Sequence, residues 1–353
     1  MTRAAVATVL KSAVRLPRII ANPQYRLPRQ IILVDNNDKC HRPAQVPLRR
    51  DYLAEAAILH PAVCESRSGQ WTIHDPRSWD WTAAEIQSYL EYHCLHSPFN
   101  AGVQNRQAML QLYTNIIAPC RENSSPFVSV ASQPGTLEYL TVSNGHGSQI
   151  PITDFYTAMG WIISIVEPHP PTRAGYQQLL ATYARWCHTA WRALFPRTCV
   201  PTTASIKVVS LPALSASTSP HGPGPGAAFW LSTSLPHAAL KEAARAVREQ
   251  HMHALFGPLP AAPIWAHAVR HGGAWGRVKW GHCAETLTTM CAYFRVPPPA
   301  LVCGVAIKLK PVARAPAYSA AVFSAAALGA CDNCKTMMQH ARIAYRDWYA
   351  HES

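Results

Sequence analysis

The sequence predicts an α/β protein built from two unlike parts. In residues 171–353, short β-branched runs alternate with segments whose apolar residues recur at helical spacing, which is typical of a layered α/β domain. Residues 35–170 carry mainly helical spacing with a few strand-like runs, which predicts a mixed α/β, mainly helical accessory domain. A chain of 353 residues is long enough for both. Residues 1–34 carry Lys and Arg but no acidic residue, which predicts a basic arm or a targeting segment.

Apolar spacing defines the elements of the accessory domain. Segment 82–94 places Ile86, Tyr89 and Leu90 on one helical face, which predicts a helix. The same reasoning predicts helices over 101–117 and 154–167, and short strands over 127–130 and 137–142.

A long amphipathic segment opens the second half. We predict a helix over 174–195, then strands over 206–209 and 228–231 on either side of a loop rich in Ser, Gly and Pro. A helix over 237–255 follows. Its bases would either line a phosphate channel or form an ordinary solvated face, and they are Lys241, Arg245 and Arg248.

The last eighty residues alternate between strand and helix patterns. The predicted order is a strand over 274–280, a helix over 283–293, a strand over 301–309, a loop over 311–330 and a helix over 334–349. A strand–helix–strand–helix order builds a parallel pair of strands whose two helices begin at the same edge of the sheet.

Each of these last two helices begins at a cysteine motif. Cys283 is followed two places later by Glu285, and Cys331 and Cys334 form a Cys-x-x-Cys. A helix N-terminus stabilises thiolates, and the i, i+3 spacing puts the second pair of sulfurs on one side of a first turn. Three thiolates can hold one zinc ion and leave the fourth tetrahedral position for water. The carboxylate of Glu285 beside that water could carry protons without binding the metal.

The Cys-Ala-Glu and Cys-x-x-Cys pair resembles the zinc-dependent cytidine deaminase superfamily, which includes nucleoside and nucleic-acid deaminases. The resemblance covers the second half of the chain. It implies a cytidine-deaminase-like helix–sheet–helix domain over 171–353, with Zn2+ held by Cys283, Cys331 and Cys334. It also implies that Glu285 transfers protons while cytosine is hydrolysed to uracil and ammonia.

Three features depart from the family's pattern. His282 precedes Glu285 by three places rather than the two of a His-x-Glu motif, so Cys283 takes the ligand role and His282 is a neighbour. Ala330 stands where the family usually has proline before the Cys-x-x-Cys. The family usually continues with one or two more strands, whereas nineteen residues follow Cys334. Walls of the substrate pocket are therefore expected from the amino-terminal half.

Charge points to a polyanionic substrate. Residues 171–353 hold 18 Lys or Arg against 6 Asp or Glu, which is nearly all of the chain's net charge of +13. A field of this sign attracts nucleic acid, so we expect the cytosine to lie in single-stranded DNA or RNA. Candidate contacts with the base, with a core role equally open for the tryptophans, are Trp230, Trp275, Trp280, His282 and Ala284. Lys335 could offset the negative charge of a three-thiolate site.

Two other functions remain open from the sequence. Cys-Ala-Glu is the ligand form that resembles the free-nucleoside branch, so the enzyme could act on free cytidine. A zinc site that only stabilises a nucleic-acid-binding module is the non-enzymatic alternative, with His282 or Cys291 as a fourth ligand.

Composition also bears on location. The sequence contains no run of 18 apolar residues, so no membrane span is expected. Eleven scattered cysteines favour an intracellular, reducing compartment such as the cytoplasm or nucleus. The basic residues 1–34 resemble a mitochondrial transit peptide, which makes the mitochondrion an alternative.

Overall fold

The computed structural model describes residues 72–96, 103–143, 148–170, 172–210, 227–260, 279–293 and 301–349. Three sequence predictions lie outside these ranges, at least in part. They concern the basic segment 1–34, most of the predicted strand 274–280 including Trp275, and most of the loop between the strands of the second half.

The first part of the described chain is mainly helical, as predicted. A 3-10 turn at Pro76–Asp80 leads into the first helix, and two π-helical turns, at Tyr92–His96 and Tyr113–Ile117, extend the helices before them. The helices are α1 Ala83–Glu91, α2 Val103–Leu112, α3 Ala118–Glu122, α4 Phe155–Val166 and α5 Arg173–Leu194. A capping box between Thr82 and Glu85 fixes the start of α1, because each side chain accepts a hydrogen bond from the other residue's backbone N–H.

Two small antiparallel pairs lie between α3 and α4. They are β1 Val128–Ser129 with β2 Leu137–Glu138, and β3 Leu140–Ser143 with β4 Gln149–Ile152. β1 lies in the predicted run 127–130, the predicted run 137–142 covers β2 and most of β3, and β4 was not predicted. The second pair leads directly into α4.

The second part is an α/β arrangement around one mixed sheet. Its remaining elements are β5 Thr203–Ser210, β6 Ala227–Thr233, α6 Lys241–Phe256, α7 Ala284–Ala292, β7 Leu301–Lys308, α8 Leu309–Arg314, α9 Ala320–Ala326, β8 Ala327–Leu328, α10 Asp332–His340 and β9 Tyr345–Asp347. Strand β5 pairs antiparallel with both β6 and β7. The far side of β7 pairs antiparallel with β8 at Ala306 and Ile307, and parallel with β9 at Val302–Gly304.

The end of the chain differs from the sequence prediction in three ways. Segment 311–330 contains helices α8 and α9 and strand β8 rather than only a loop. The helix predicted over 334–349 ends at His340, and strand β9 follows it. A parallel pair is present between β7 and β9, and the chain that connects them contains α8, α9, β8 and α10. Of the strand predicted over 274–280, only Lys279 and Trp280 are described, and they are not part of a strand. A three-residue strand is too short to show a period, which is why the helical pattern of α10 masked it.

Helix α4 covers the free edge of the sheet. The backbone N–H of Leu231 in β6 donates to Ser164 Oγ at 3.0 Å, so this edge group of the strand has a helical partner. Gly160 permits the close approach, because a Cβ there would lie 2.5 Å from the carbonyl oxygen of Leu231. The accessory helices thus pack directly onto the sheet that carries the cysteine motifs.

Helix α7 packs against one face of the sheet. Ser205 Oγ of β5 lies 3.1 Å from Thr288 Oγ1 of α7, which identifies the face that α7 covers. Side chains alternate along a strand, so Lys207 shares this face with Ser205, and so does Trp230, the cross-strand partner of Lys207. Helix α5 contacts β5 and β7 as well.

A buried ion pair connects α4 to α6. Arg248 Nη2 donates to Asp154 Oδ2 at 3.0 Å, and both side chains are fully buried. The same carboxylate caps α4 by accepting from the backbone N–H and the hydroxyl of Thr157, at 3.0 and 2.6 Å. Thr153 Oγ1 donates to it at 2.9 Å. Four donors converge on one carboxylate, which makes this the best-satisfied charged group at the junction of the two helices.

No helix in the described part of the chain is both long enough and apolar enough to span a membrane.

We expect Asp154→Ala to lower the free energy of unfolding by about 3–5 kcal/mol, because it leaves the Arg248 guanidinium buried without its counter-ion. Equilibrium urea unfolding, followed by circular dichroism and fluorescence, measures the change. The double variant Asp154→Ala/Arg248→Met should recover part of the loss. Asp80→Ala is the control, because the Asp80–Arg185 pair has a largely exposed carboxylate and should contribute no more than about 1 kcal/mol. Equal losses for Asp80→Ala and Asp154→Ala would contradict this account.

Candidate metal centre

The two cysteine motifs begin two helices that start at the same edge of the sheet. Cys283 is the N-cap residue of α7 and Cys331 is the N-cap residue of α10, and both have extended backbone angles there. Cys334 follows in the first turn of α10. This confirms the expected convergence of the two helix N-termini, where unpaired backbone N–H groups favour thiolates.

A glycine turn brings Cys283 into place. Gly281 has a φ of 90°, and a Cβ there would lie 2.7 Å from the carbonyl oxygen of Arg245 in α6. The next residue, His282, accepts a hydrogen bond through its carbonyl oxygen from the backbone N–H of Leu235, at 3.2 Å. The loop after β6 and helix α6 therefore fix the path of the chain into α7.

The last strand holds the second motif. The carboxylate of Asp347 in β9 accepts a hydrogen bond from the backbone N–H of Ala330, at 2.7 Å. The backbone of Trp348 then donates to the carbonyl oxygen of Gly304 in β7, at 2.9 Å. Cys331 is thus positioned by a residue that lies sixteen places further along the chain, in a strand that the sequence pattern did not predict.

The three sulfurs lie close enough to share one ion. Cys331 Sγ is 3.5 Å from Cys283 Sγ and 3.4 Å from Cys334 Sγ. These separations exclude disulfides, in which the sulfurs are about 2.05 Å apart, and all three cysteines are free. A tetrahedral zinc ion with Zn–S bonds of about 2.3 Å places its sulfurs about 3.8 Å apart. The donor set therefore fits zinc after a shift of a few tenths of an ångström.

Without metal, the cluster shares its protons unequally. Contacts with the sulfurs of Cys283 and Cys334 lower the pKa of the Cys331 thiol to about 3. The same contacts, together with burial, raise the pKa values of Cys283 and Cys334. Cys331 is therefore the first of the three thiols to lose its proton.

Glu285 completes the group. One of its carboxylate oxygens and the three sulfurs all lie within 4.8 Å of one another. Glu285 is only 5 % exposed. Burial raises the pKa of its carboxyl, whereas the charge of Lys207 lowers it. Cys283 and Cys331 are half-buried as residues, whereas Glu285 and Cys334 are buried.

Ala284 and His282, the two neighbours of Cys283, lie outside this group. Ala284 is fully buried at the start of α7, between Cys283 and Glu285. His282 points its Nε2 at Glu242 Oε1, 3.3 Å away, and burial lowers the pKa of its imidazole to about 4. His282 is not part of the group that could hold a metal ion, which consists of the three cysteines and Glu285.

Both described tryptophans of the predicted set are buried. Trp230 is 5 % exposed and lies on the sheet face that α7 covers. Trp280 is 6 % exposed, and its Nε1 donates to the carbonyl oxygen of Pro260 at 3.0 Å. Each contributes to the hydrophobic core, and a stacking contact with a base stays a prediction for both.

Two of the three bases predicted on α6 are paired with carboxylates and are not free to line a phosphate channel, whereas Lys241 is half-buried. Arg248 is fully buried against Asp154. Arg245 bridges Glu242 and Glu249, with N–O distances of 2.9 and 2.5 Å. The positive charges of both arginines are therefore neutralised within the protein. Lys335 on α10 is exposed to solvent.

Sequence reasoning missed Lys207. This lysine is fully buried in the middle of β5, on the face of the sheet that also carries α7. Burial lowers the pKa of its ammonium group, and the nearby acids Glu285, Cys334, Asp347 and Cys331 act to raise it. A signal was present, since Lys207 stands between Ile206 and Val208 in a predicted apolar strand, where a lysine is rare.

Comparisons of the chain with protein-family models, with curated proteins and with solved structures found no match.

Proposed function

We propose that this protein is a zinc-dependent hydrolytic deaminase of the cytidine-deaminase-like kind, which converts cytosine to uracil in single-stranded DNA or RNA. The observation that carries the proposal is the convergence of three sulfurs and one buried carboxylate within 4.8 Å at the start of two helices. The layered α/β arrangement, with its parallel β7–β9 pair, supports the same fold assignment.

The cysteines are the residues that would hold the metal. Cys283, Cys331 and Cys334 supply three soft ligands, which suit zinc. A zinc ion bound there would polarise a water molecule and make it a nucleophile at neutral pH. A structural zinc site usually fills all four positions with Cys or His, and His282 is turned towards Glu242 instead.

Glu285 would transfer protons during the reaction. Hydrolysis forms a C4–O bond, breaks the C4–N bond of the exocyclic amine, and releases ammonia. The carboxylate of Glu285 would accept a proton from the attacking water, pass it to N3 of the ring, and take part in protonating the departing amine. Burial raises the pKa of this group above its ordinary value, which favours a residue that must both accept and donate a proton.

Charge favours a polymeric substrate over a free nucleoside. The excess of 18 basic over 6 acidic residues lies in 171–353, the part that carries the candidate centre. A free nucleoside has no phosphate for this field to attract, whereas a nucleic acid has one at every nucleotide. Incubation with single-stranded DNA, with single-stranded RNA and with free cytidine, each scored for the uracil product, separates the possibilities.

We expect turnover of the nucleic-acid substrate to fall steeply as salt increases, because each neutralised phosphate contact adds to the salt dependence. Product formation at subsaturating substrate, measured between about 50 and 200 mM salt, tests this expectation. Turnover of free cytidine alone, with no dependence on salt, would support the nucleoside alternative and reject the polymer.

Glu285→Gln should reduce uracil formation by about 10²-fold or more while zinc content stays at one ion per chain, because the variant loses the proton-transferring group and keeps the sulfur ligands. Product assays and metal analysis of the same preparation measure both quantities. Glu122→Gln, at an exposed glutamate in α3, is the matched control and should keep both. If Glu285→Gln lost zinc in proportion to activity, the carboxylate would be a fourth ligand and the site structural.

Cys334→Ser should lose bound zinc and lower the thermal midpoint, since it removes a buried ligand from the centre. Cys199→Ser, at an exposed free thiol, is the control and should change neither. Metal analysis after gel filtration, with thermal unfolding before and after a chelator, provides the readout. Full zinc retention in Cys334→Ser would contradict the ligand assignment.

Zinc affinity should rise with pH across the neutral range. The pKa values of the Cys283 and Cys334 thiols are raised, so both remain protonated at neutral pH and must lose their protons when metal binds. Release of about two protons implies an affinity change on the order of a hundredfold per pH unit. Competition with a chelator of known proton dependence between about pH 6 and 7.5 measures the slope. A flat profile would mean that metal binding does not release these thiol protons.

A further inference from the structure

Lys207 in β5 is a buried charged group that the proposed mechanism does not use. Its side chain is fully buried, and its Nζ has no hydrogen-bond partner among the described residues. A buried ammonium without a partner is strongly unfavourable unless opposite charge lies nearby. Packing alone therefore does not explain why a lysine stands at this position.

The surroundings of Lys207 are built to hold an extended lysine. Its cross-strand partner in β7 is Gly304, and a Cβ at that position would lie 2.7 Å from Lys207 Cδ. The ammonium group lies 3.9 Å from the centre of the Tyr345 ring, a distance typical of a cation–π contact. Tyr345 is held in turn, because its hydroxyl donates to the carbonyl oxygen of Gly304 at 3.1 Å.

Acidic groups surround this ammonium from the neighbouring elements. The groups whose charge acts on it are Glu285 from α7, Cys331 and Cys334 from α10, and Asp347 from β9. Two of these are proposed zinc ligands and one is the proposed proton-transferring residue. No other described lysine combines full burial with this environment; Lys335, next to Cys334 in sequence, is exposed.

We propose that Lys207 is the internal counter-charge of the metal centre, a positioning residue that stabilises the complex of three thiolates with a divalent cation beside the Glu285 carboxylate. A divalent ion with three thiolates leaves one net negative charge, and the carboxylate adds a second. The Lys207 ammonium offsets part of this charge in a region from which water is excluded, where charges interact more strongly than at the surface. This inference rests on the proposed metal centre and goes beyond it, because it assigns a role to a residue outside both motifs.

The proposal has a signature that a packing role lacks. Lys207→Met keeps the length of the side chain and removes the charge. In the metal-free protein this substitution removes a desolvated ammonium, so the thermal midpoint should stay the same or rise. In the metal-bound protein it removes the counter-charge, so zinc affinity should fall. A residue that only fills space would lower the stability of both forms.

The experiment compares zinc affinity by chelator competition in the full-length wild type, Lys207→Met and Lys335→Met. We expect Lys207→Met to bind zinc at least about tenfold more weakly, since a change of one unit in an interacting pKa corresponds to tenfold. Lys335→Met should change affinity by no more than about threefold, because solvent screens its charge. Cobalt substitution adds a check, as thiolate-to-cobalt absorption reports whether all three sulfurs still coordinate.

Wild-type affinity in Lys207→Met, or an equal loss in Lys335→Met, would overturn the proposal. Lys207→Gln provides a second neutral variant if methionine does not give folded protein, and wild-type affinity in that variant would overturn the proposal as well. If the wild type binds zinc and the Lys207 variants bind it equally well, only this inference is rejected. A wild-type chain that binds no zinc rejects the metal centre itself.

Discussion

The candidate centre depends on one constraint, which is that α7 and α10 must begin at the same edge of the sheet. Strand β7 meets this constraint, because it follows α7 in sequence and pairs with both elements that flank α10. Its pairing with β8 delivers the chain to Cys331, and its parallel pairing with β9 returns the chain after α10. Each motif alone offers at most two sulfurs, and the sheet supplies the third by placing Cys283 3.5 Å from Cys331. The order of the strands, more than either motif, is therefore what brings the three sulfurs together.

Two buried cations lie in this part of the molecule, and they are satisfied in different ways. The guanidinium of Arg248 has a dedicated carboxylate, Asp154, which also caps α4, so its charge is used within the fold. The ammonium of Lys207 has an aromatic face and several acids that belong to the candidate centre. An arginine of the first kind stabilises the packing of helices. A lysine of the second kind is expected to respond to what the centre binds, because the charge that surrounds it changes with metal and protons.

Much of this architecture could be predicted from the sequence. Apolar periodicity located helices α1, α2, α4, α5, α6 and α7 and strands β5, β6 and β7, because each is long enough to show a period. The spacing of Cys331 and Cys334 and the Cys-x-Glu pattern identified the residues that the fold brings together. The short strands β8 and β9 were missed because β8 lies in an alanine-rich segment and β9 follows directly on the helical pattern of α10. Lys207 carried a local signal as a lysine in an apolar strand, but its surroundings, and the contact of Asp347 with Ala330, arise from parts of the chain that are distant in sequence.

Gly304 couples two properties of the molecule that are usually independent. A methyl group at this position would contact the backbone oxygen of Ile206 and also the aliphatic chain of Lys207, so it would push β5 away from β7 and displace the lysine at once. The spacing between β5 and β7 and the position of the Lys207 charge therefore both depend on Gly304. A larger side chain at position 304 would therefore have to be accompanied by changes both in the pairing of β5 with β7 and in the placement of the lysine.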